Sequence, residues 1–371
     1  MTASFKVEHA TRSSRIGMAA FALGLLLLAA APAWGGRDDL RLLAEIYAYV
    51  ALASLWNLLA GYAGLVSVGQ QAYVGLGAYV LFASTILAGI HPLLAVPAAG
   101  AIAAIVALPV AGLMFRLRGH YFAIGTWVVA EVFRLSASQI SALGGGSGIS
   151  LPASIVTAMA PSRQLREFLI YWVALALMVA VLAAIVLLLR SRYGLALTAI
   201  RDNELAARSS GVDVTRTKLV VYILTALGTA MIGALIFLQK LRISPDTAFS
   251  VNDWTAFGTA MVGALIFLQK LRISPDTAFS VNDWTAFVIF ITVIGGIGRV
   301  EGPIIGAIIF FLLRQTLADL GSPYLLMLGA VAIAVMLLAP KGIWGFLAGR
   351  FGWQLLPLER RLRFAADART T

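Results

Sequence analysis

Apolar runs long enough to cross a bilayer recur along this chain and are separated by short polar, mostly basic stretches. A hydrocarbon core of about 30 Å needs about 20 residues of apolar helix. By that measure spans fall at 16–34, 42–61, 72–89, 93–115 and 121–136, and then at 168–189, 218–238, 303–320 and 323–340. A shorter apolar piece at 285–297 precedes the last two. The pattern predicts an all-α fold, a polytopic membrane helical bundle of about ten transmembrane helices, some of them broken.

Two stretches depart from plain hydrophobic helix. "GYAGLVSVGQQAYVGLGAYV" begins at Gly61 and sets Gly64, Ser67, Gly69, Gln70 and Gln71 between two spans. "GGIGRVEGPIIGA" places Gly295, Gly296 and Gly298 in a similar interruption in the second half. Unwound backbone at membrane depth is tolerated only against protein or a wet cavity, and a pair of such breaks points to a transport site. Gly61, Gly64, Ser67, Gly69, Gln70, Gly295, Gly296 and Gly298 are therefore candidates to line a translocation pathway. Close helix packing through small residues is the alternative reading.

Composition agrees with the pattern: 60% of residues are hydrophobic and 12% charged, against about half and a quarter in soluble domains. The net charge of +11 lies in short clusters between spans, which fits membrane topology and not nucleic-acid binding. With no cysteine there is no disulfide framework, thiolate metal site or cysteine nucleophile. The three histidines are scattered, and neither an HExxH pair nor a GxxxxGK phosphate loop occurs. No cofactor or metal is expected in this chain, and any ATP chemistry belongs to a partner.

Lysine and arginine accumulate in cytoplasmic loops. Lys6, Arg12 and Arg15 precede the first apolar run, which reads as a retained first helix, with a cleaved signal peptide as the alternative. Residues 1–15 are then a cytoplasmic tail, 16–340 the transmembrane domain and 341–371 a second cytoplasmic tail. Arg116, Arg118 and the basic loop at 190–217 also fall inside.

Residues 228–257 and 258–287 are identical except that Ile232 becomes Val262. The second copy supplies only a 14-residue apolar stretch at 255–268, about 21 Å of helix, which is too short to cross. If it did cross, the tail carrying Lys341, Arg350, Arg360, Arg361, Arg363 and Arg369 would be external, against the positive-inside preference. The second copy is expected to form an extracytoplasmic or re-entrant excursion, leaving ten crossings with both termini inside. A recent in-frame duplication and a sequence-assembly error are competing origins.

The loop "SRYGLALTAIRDNELAARSSGVDVTRTKL", from Ser191, carries a short helix with its own signals. Asp202, Asn203 and Glu204 suit its N-terminus, and Gly211 suits a C-terminal cap. A short capped helix outside the bilayer is either a solvated connector or a piece that docks on another protein.

"ELAARSSG", from Glu204, resembles the EAA motif of ABC importer permeases, placing Glu204, Ala206, Ala207 and Gly211 on the motif with Leu205 inserted. Together with "NLLAGYAGLVSVGQQAYVGLGAYV", "LRGHYFAIGTW", "AIRDNELAA" and "ISP" followed by "GGIGRVEGPIIGA", it makes the chain similar to the LivM-type permeases of branched-chain amino acid importers. The likeness covers roughly 42–344 without one copy of the repeat, and the second ISP segment is a departure.

The resemblance implies an ATPase-coupling role for the motif residues. It also implies a bacterial inner-membrane location, a second LivH-type permease, two ATPases that use ATP and magnesium, and a periplasmic substrate-binding protein. It implies no enzyme activity in this chain and leaves urea or short-amide transport by the same family as the alternative. An ion-coupled carrier is the competing class, and its relay would have to use Glu45, Glu131, Arg134, Arg314 or Asp319.

Overall fold

A computed structural model of the 371-residue chain describes residues 5–8, 12–117, 119–145, 148–239, 285, 287–317, 330–331, 334–335, 337–339, 341–351 and 361–364. The helices begin where the local chemistry allows. After α1 (Arg12–Ala30), α2 (Arg37–Asn57) opens with Asp38 and Asp39 in its first turn, and the Gly36 amide donates to the Asp39 carboxylate at 3.0 Å. Negative charge is favourable at that end of the helix dipole. α3 (Gln71–Ile86) is followed by α4 (Pro92–Met114), which His91 caps and Pro92 opens. Proline suits the first helical turn because that turn lacks amide acceptors in any case.

α5 (His120–Ser138), α6 (Ala153–Met159) and α7 (Arg163–Arg190) follow, then α8 (Arg192–Asp202), α9 (Glu204–Ser209) and α10 (Val214–Gln239). The described C-terminal helices are α11 (Phe287–Gly295), α12 (Gly302–Leu317) and α13 (Gly342–Phe351).

Among the described residues four helices are long and apolar enough to cross a membrane, at 37–62, 92–114, 164–190 and 214–239. Shorter apolar helices lie at 17–33, 71–86 and 302–316. The chain is thus a multi-pass helical bundle. α11, with nine residues, is about 13 Å long, too short to cross a membrane alone.

The centre is formed by α2, α3 and α10. α4 lies on α10 and α3, α7 lies on α2, and the α11–α12 pair packs against α2. Between α3 and α10 the backbones nearly touch. A Cβ added at Gly77 would stand 2.0 Å from the Ala230 carbonyl oxygen, and one at Gly233 would stand 2.3 Å from that of Val74. Water-driven burial does not hold helices together inside lipid, so such small-residue contacts carry the association.

Charged groups within the bundle are held in pairs: Glu45 with Arg314 at 2.8 Å, Arg41 with Glu167 at 2.7 Å, and Glu131 with Arg134 at 2.6 Å. The residues that an ion relay would have used are thereby engaged with opposite charges, Asp319 lying outside the described residues.

Outside the bundle, β1 (Phe5–Glu8) pairs antiparallel with β2 (Arg361–Phe364), Phe5 opposite Phe364, which brings the two tails together. The span expected at 323–340 lies largely outside the described residues. So does the excursion expected of 258–287, apart from Thr285 and Phe287.

Candidate functional site: two helix breaks and an external helix

The first break starts at the end of α2. At Leu58–Tyr62 the helix widens to a π-turn, with the Ala63 amide donating to the Leu58 carbonyl at 3.3 Å, and residues 63–70 run without helix until α3 begins. Side chains take up the polar backbone that the unwinding frees. Trp56 Nε1 donates to the Ser67 carbonyl at 2.8 Å, the Val68 amide to Thr126 Oγ1 at 3.1 Å, and the Gly69 amide to Ser67 Oγ at 3.2 Å. Each unmet buried group would cost about 1–3 kcal/mol.

The second break runs from the end of α11 at Gly295 to the start of α12 at Gly302, and it meets the first. Asn57 joins them: its Oδ1 accepts from the Gly298 amide and its Nδ2 donates to the Arg299 carbonyl, both at 2.7 Å. A Cβ on Gly61 would stand 2.6 Å from the Gly298 nitrogen. Glycine is therefore required where the two unwound segments cross.

Of the eight residues singled out from the sequence, Gly61, Ser67, Gly69, Gln70, Gly295 and Gly296 are buried, Gly298 is half-buried and Gly64 is exposed. Gln70 Nε2 donates to Thr229 Oγ1 of α10 at 2.6 Å, and Thr285 donates to Gln71. The structure brings the two groups together and packs them. Asn57, Thr126 and Thr229 were missed as partners; the one local signal for Asn57 is an amide near the end of an apolar run.

On the basic side, α9 is capped by Asn203, whose Oδ1 accepts from the Ala206 amide at 3.1 Å. Glu204 is tied to Lys218 of α10 at 2.7 Å and to Arg208 at 2.9 Å. The Lys218 hydrogen bond holds the Glu204 carboxyl below the usual carboxylate range against an opposing push from burial, and Arg208 adds to the lowering.

Ala207 is buried against Ile200 and Val214, and Gly211 takes a left-handed φ of 83° where the chain leaves the helix. The four motif residues therefore divide. Glu204 and Ala207 fasten α9 to its own subunit, Gly211 turns the chain, and Ala206 faces outward. Leu205, which interrupts the motif, is the most outward apolar side chain here, 77% exposed. The loop read as holding one helix holds two, since α8 precedes α9.

Residues 40–257 match the sequence model of the family described as branched-chain amino acid transport system / permease component. The match ends at the last residue of the first repeat copy. The chain is 26% identical over 347 residues to the high-affinity branched-chain amino acid transport system permease protein LivM of Salmonella typhimurium. It is 27% identical over the same length to its counterpart in Escherichia coli. Each alignment covers 87% of this chain and 74% of the relative. With more than half its length matched and its helices arranged as a multi-pass bundle, the chain belongs to the branched-chain amino acid transport permease family.

Proposed function

We propose that the chain is the permease subunit of an ABC importer that moves branched-chain or related hydrophobic amino acids across the bacterial inner membrane. ATP hydrolysis would take place in partner ATPases that dock on α9. One observation carries the reading: α10 holds both Lys218, bonded to Glu204 of α9, and Thr229, bonded to Gln70 at the first break. The two positions are 11 residues apart, about 16 Å along a single helix. Force applied to α9 would reach the break through one rigid element.

Leu205 and Ala206 present the docking contact, an exposed apolar patch on a helix already fastened in place. Gly64, at the exposed tip of the first break, is the pathway candidate with most access to substrate, and the buried candidates support it from behind. The α9 side is cytoplasmic in this reading. Arg190, Arg192, Arg201, Arg208, Arg216 and Lys218 gather there, and the pairing of β1 with β2 keeps both tails on a common side.

A second permease, two ATPases and an external binding protein complete the machine, the ATP and magnesium being bound by the ATPases. The test is uptake of labelled leucine in cells that carry this chain with the genes for its partners. Uptake should vanish when both ATPases are deleted, and persistence would refute an ATP-driven permease.

A further inference from the structure

We propose that the groove between α4 and α5 holds an anionic phospholipid, with its acyl chains along the two helices and its phosphate on Arg116. α4 and α5 both pack more on α3 than on each other, and a groove of about 570 Å³ remains between them. Its lining is hydrocarbon, including Val110 and Met114 from α4 and Val128, Val132 and Phe133 from α5. At its floor Phe133 meets Tyr73 of α3 edge to face, ring centroids 6.3 Å apart. Val128 and Val132 are each 53% exposed, so the groove opens sideways from the bundle toward lipid.

Arg116 is the one charged residue in the lining. It stands on the turn between the helices, at one end of the groove, and its side chain is exposed. Among the described residues no carboxylate pairs with it. Basic pockets between membrane helices on the cytoplasmic side bind anionic headgroups, and a guanidinium presents a planar fork suited to phosphate.

Charge favours lipid as the occupant, since an exposed guanidinium at the end of a hydrocarbon groove matches a phosphate headgroup above acyl chains. From Gly125 to Phe133 the groove follows α5 for about 12 Å, a length that acyl chains can lie along. The inference stands on this geometry and does not depend on the transported substrate.

The test is native mass spectrometry of the full-length chain extracted in mild detergent, joined to thermal melts with added lipid. The wild type should retain phosphatidylglycerol or cardiolipin in preference to phosphatidylethanolamine. Arg116→Gln should lower that retention about five-fold, the effect of losing one basic residue at the surface. Val128→Trp, on the open lip, should displace the lipid while leaving the helical circular dichroism intact. Because the chain has no cysteine, Val132→Cys gives a single site for a photo-cross-linker in the assembled complex. Cross-links to lipid are expected. Equal retention of phosphatidylethanolamine, unchanged retention in Arg116→Gln, protection by inorganic phosphate alone, or cross-links to a protein would each overturn the proposal.

Discussion

The crossing of the two helix breaks and the external helix α9 are both short interruptions of a helical bundle, and they are built in opposite ways. At the crossing, Asn57, Trp56, Thr126 and Gln70 each hydrogen-bond across to another segment, and the backbones of Gly61 and Gly298 come together. On α9 the bonds to Lys218 and the burial of Ala207 fasten one side, while Leu205 stands in the open. A substitution at the crossing therefore acts on folding first. One on the outer side of α9 leaves the fold alone and acts on what binds there.

The largest effect that would sharpen this contrast belongs to the α3–α10 contact behind the first break. Gly233→Leu puts a side chain where backbone already stands 2.3 Å from a Cβ. Overpacking typically costs about 1–3 kcal/mol where neighbours shift and occasionally more. Here the obstacle is the Val74 backbone and three further carbons must fit, so the cost lies above that range. The variant should fail to accumulate in membranes, as measured by quantitative immunoblot. Normal abundance would show that the helices separate freely.

Next in size is Asn57→Leu, which leaves the Gly298 amide and the Arg299 carbonyl unpaired. At about 1–3 kcal/mol for each group if fully buried, and with Gly298 and Arg299 half-buried, a loss of roughly 2–4 kcal/mol is expected in denaturant unfolding. A loss below about 0.5 kcal/mol would mean that the crossing is wetter than its contacts indicate.

A smaller effect on the fold is expected from deleting residues 258–287. The structure takes the start of the repeated block from the first copy, Gly228 to Gln239 in α10, and its end from the second, with Thr285 donating to Gln71 and Phe287 in the core. After the deletion, Thr255 and Phe257 stand at the same distance from Val288 as Thr285 and Phe287 did. Uptake should be preserved or improved, and a loss would show that the added copy has acquired a role.

The smallest effect concerns pH. Glu204 has a lowered pKa in the folded chain, so its contribution is complete above the ordinary carboxylate value of about 4.3. It is lost as pH falls through the lowered value. The protection of the α9 amides, corrected for the intrinsic pH dependence of exchange, should therefore be steady from neutral pH down to about that value and fall below it. Glu204→Gln should show the lower protection already at neutral pH.

The helices expected at the spans that fall among the described residues, both breaks and the α9 helix were legible in the sequence because apolar run length, glycine clusters and capping residues are local signals. What was not legible is which distant groups meet. Nothing near Asn57 states that it will bond Gly298, some 240 positions away, since a membrane-embedded amide can pair with any backbone freed nearby. The motif also hid its own geometry. Ala207 resembles a docking alanine, yet it faces Ile200 and Val214, while Leu205, the residue out of pattern, faces outward. A six-residue helix is too short for periodicity to tell its inner face from its outer one.

The central claim, that partner ATPases drive transport through the outer side of α9, is tested most directly by Leu205→Asp in the assembled transporter in proteoliposomes. ATP-dependent leucine uptake and the binding of the ATPases to the membrane subunits are measured together with thermal stability. The account predicts an unchanged melting temperature with at least a ten-fold loss of uptake and weakened ATPase binding. Full uptake with the ATPases still bound would contradict it.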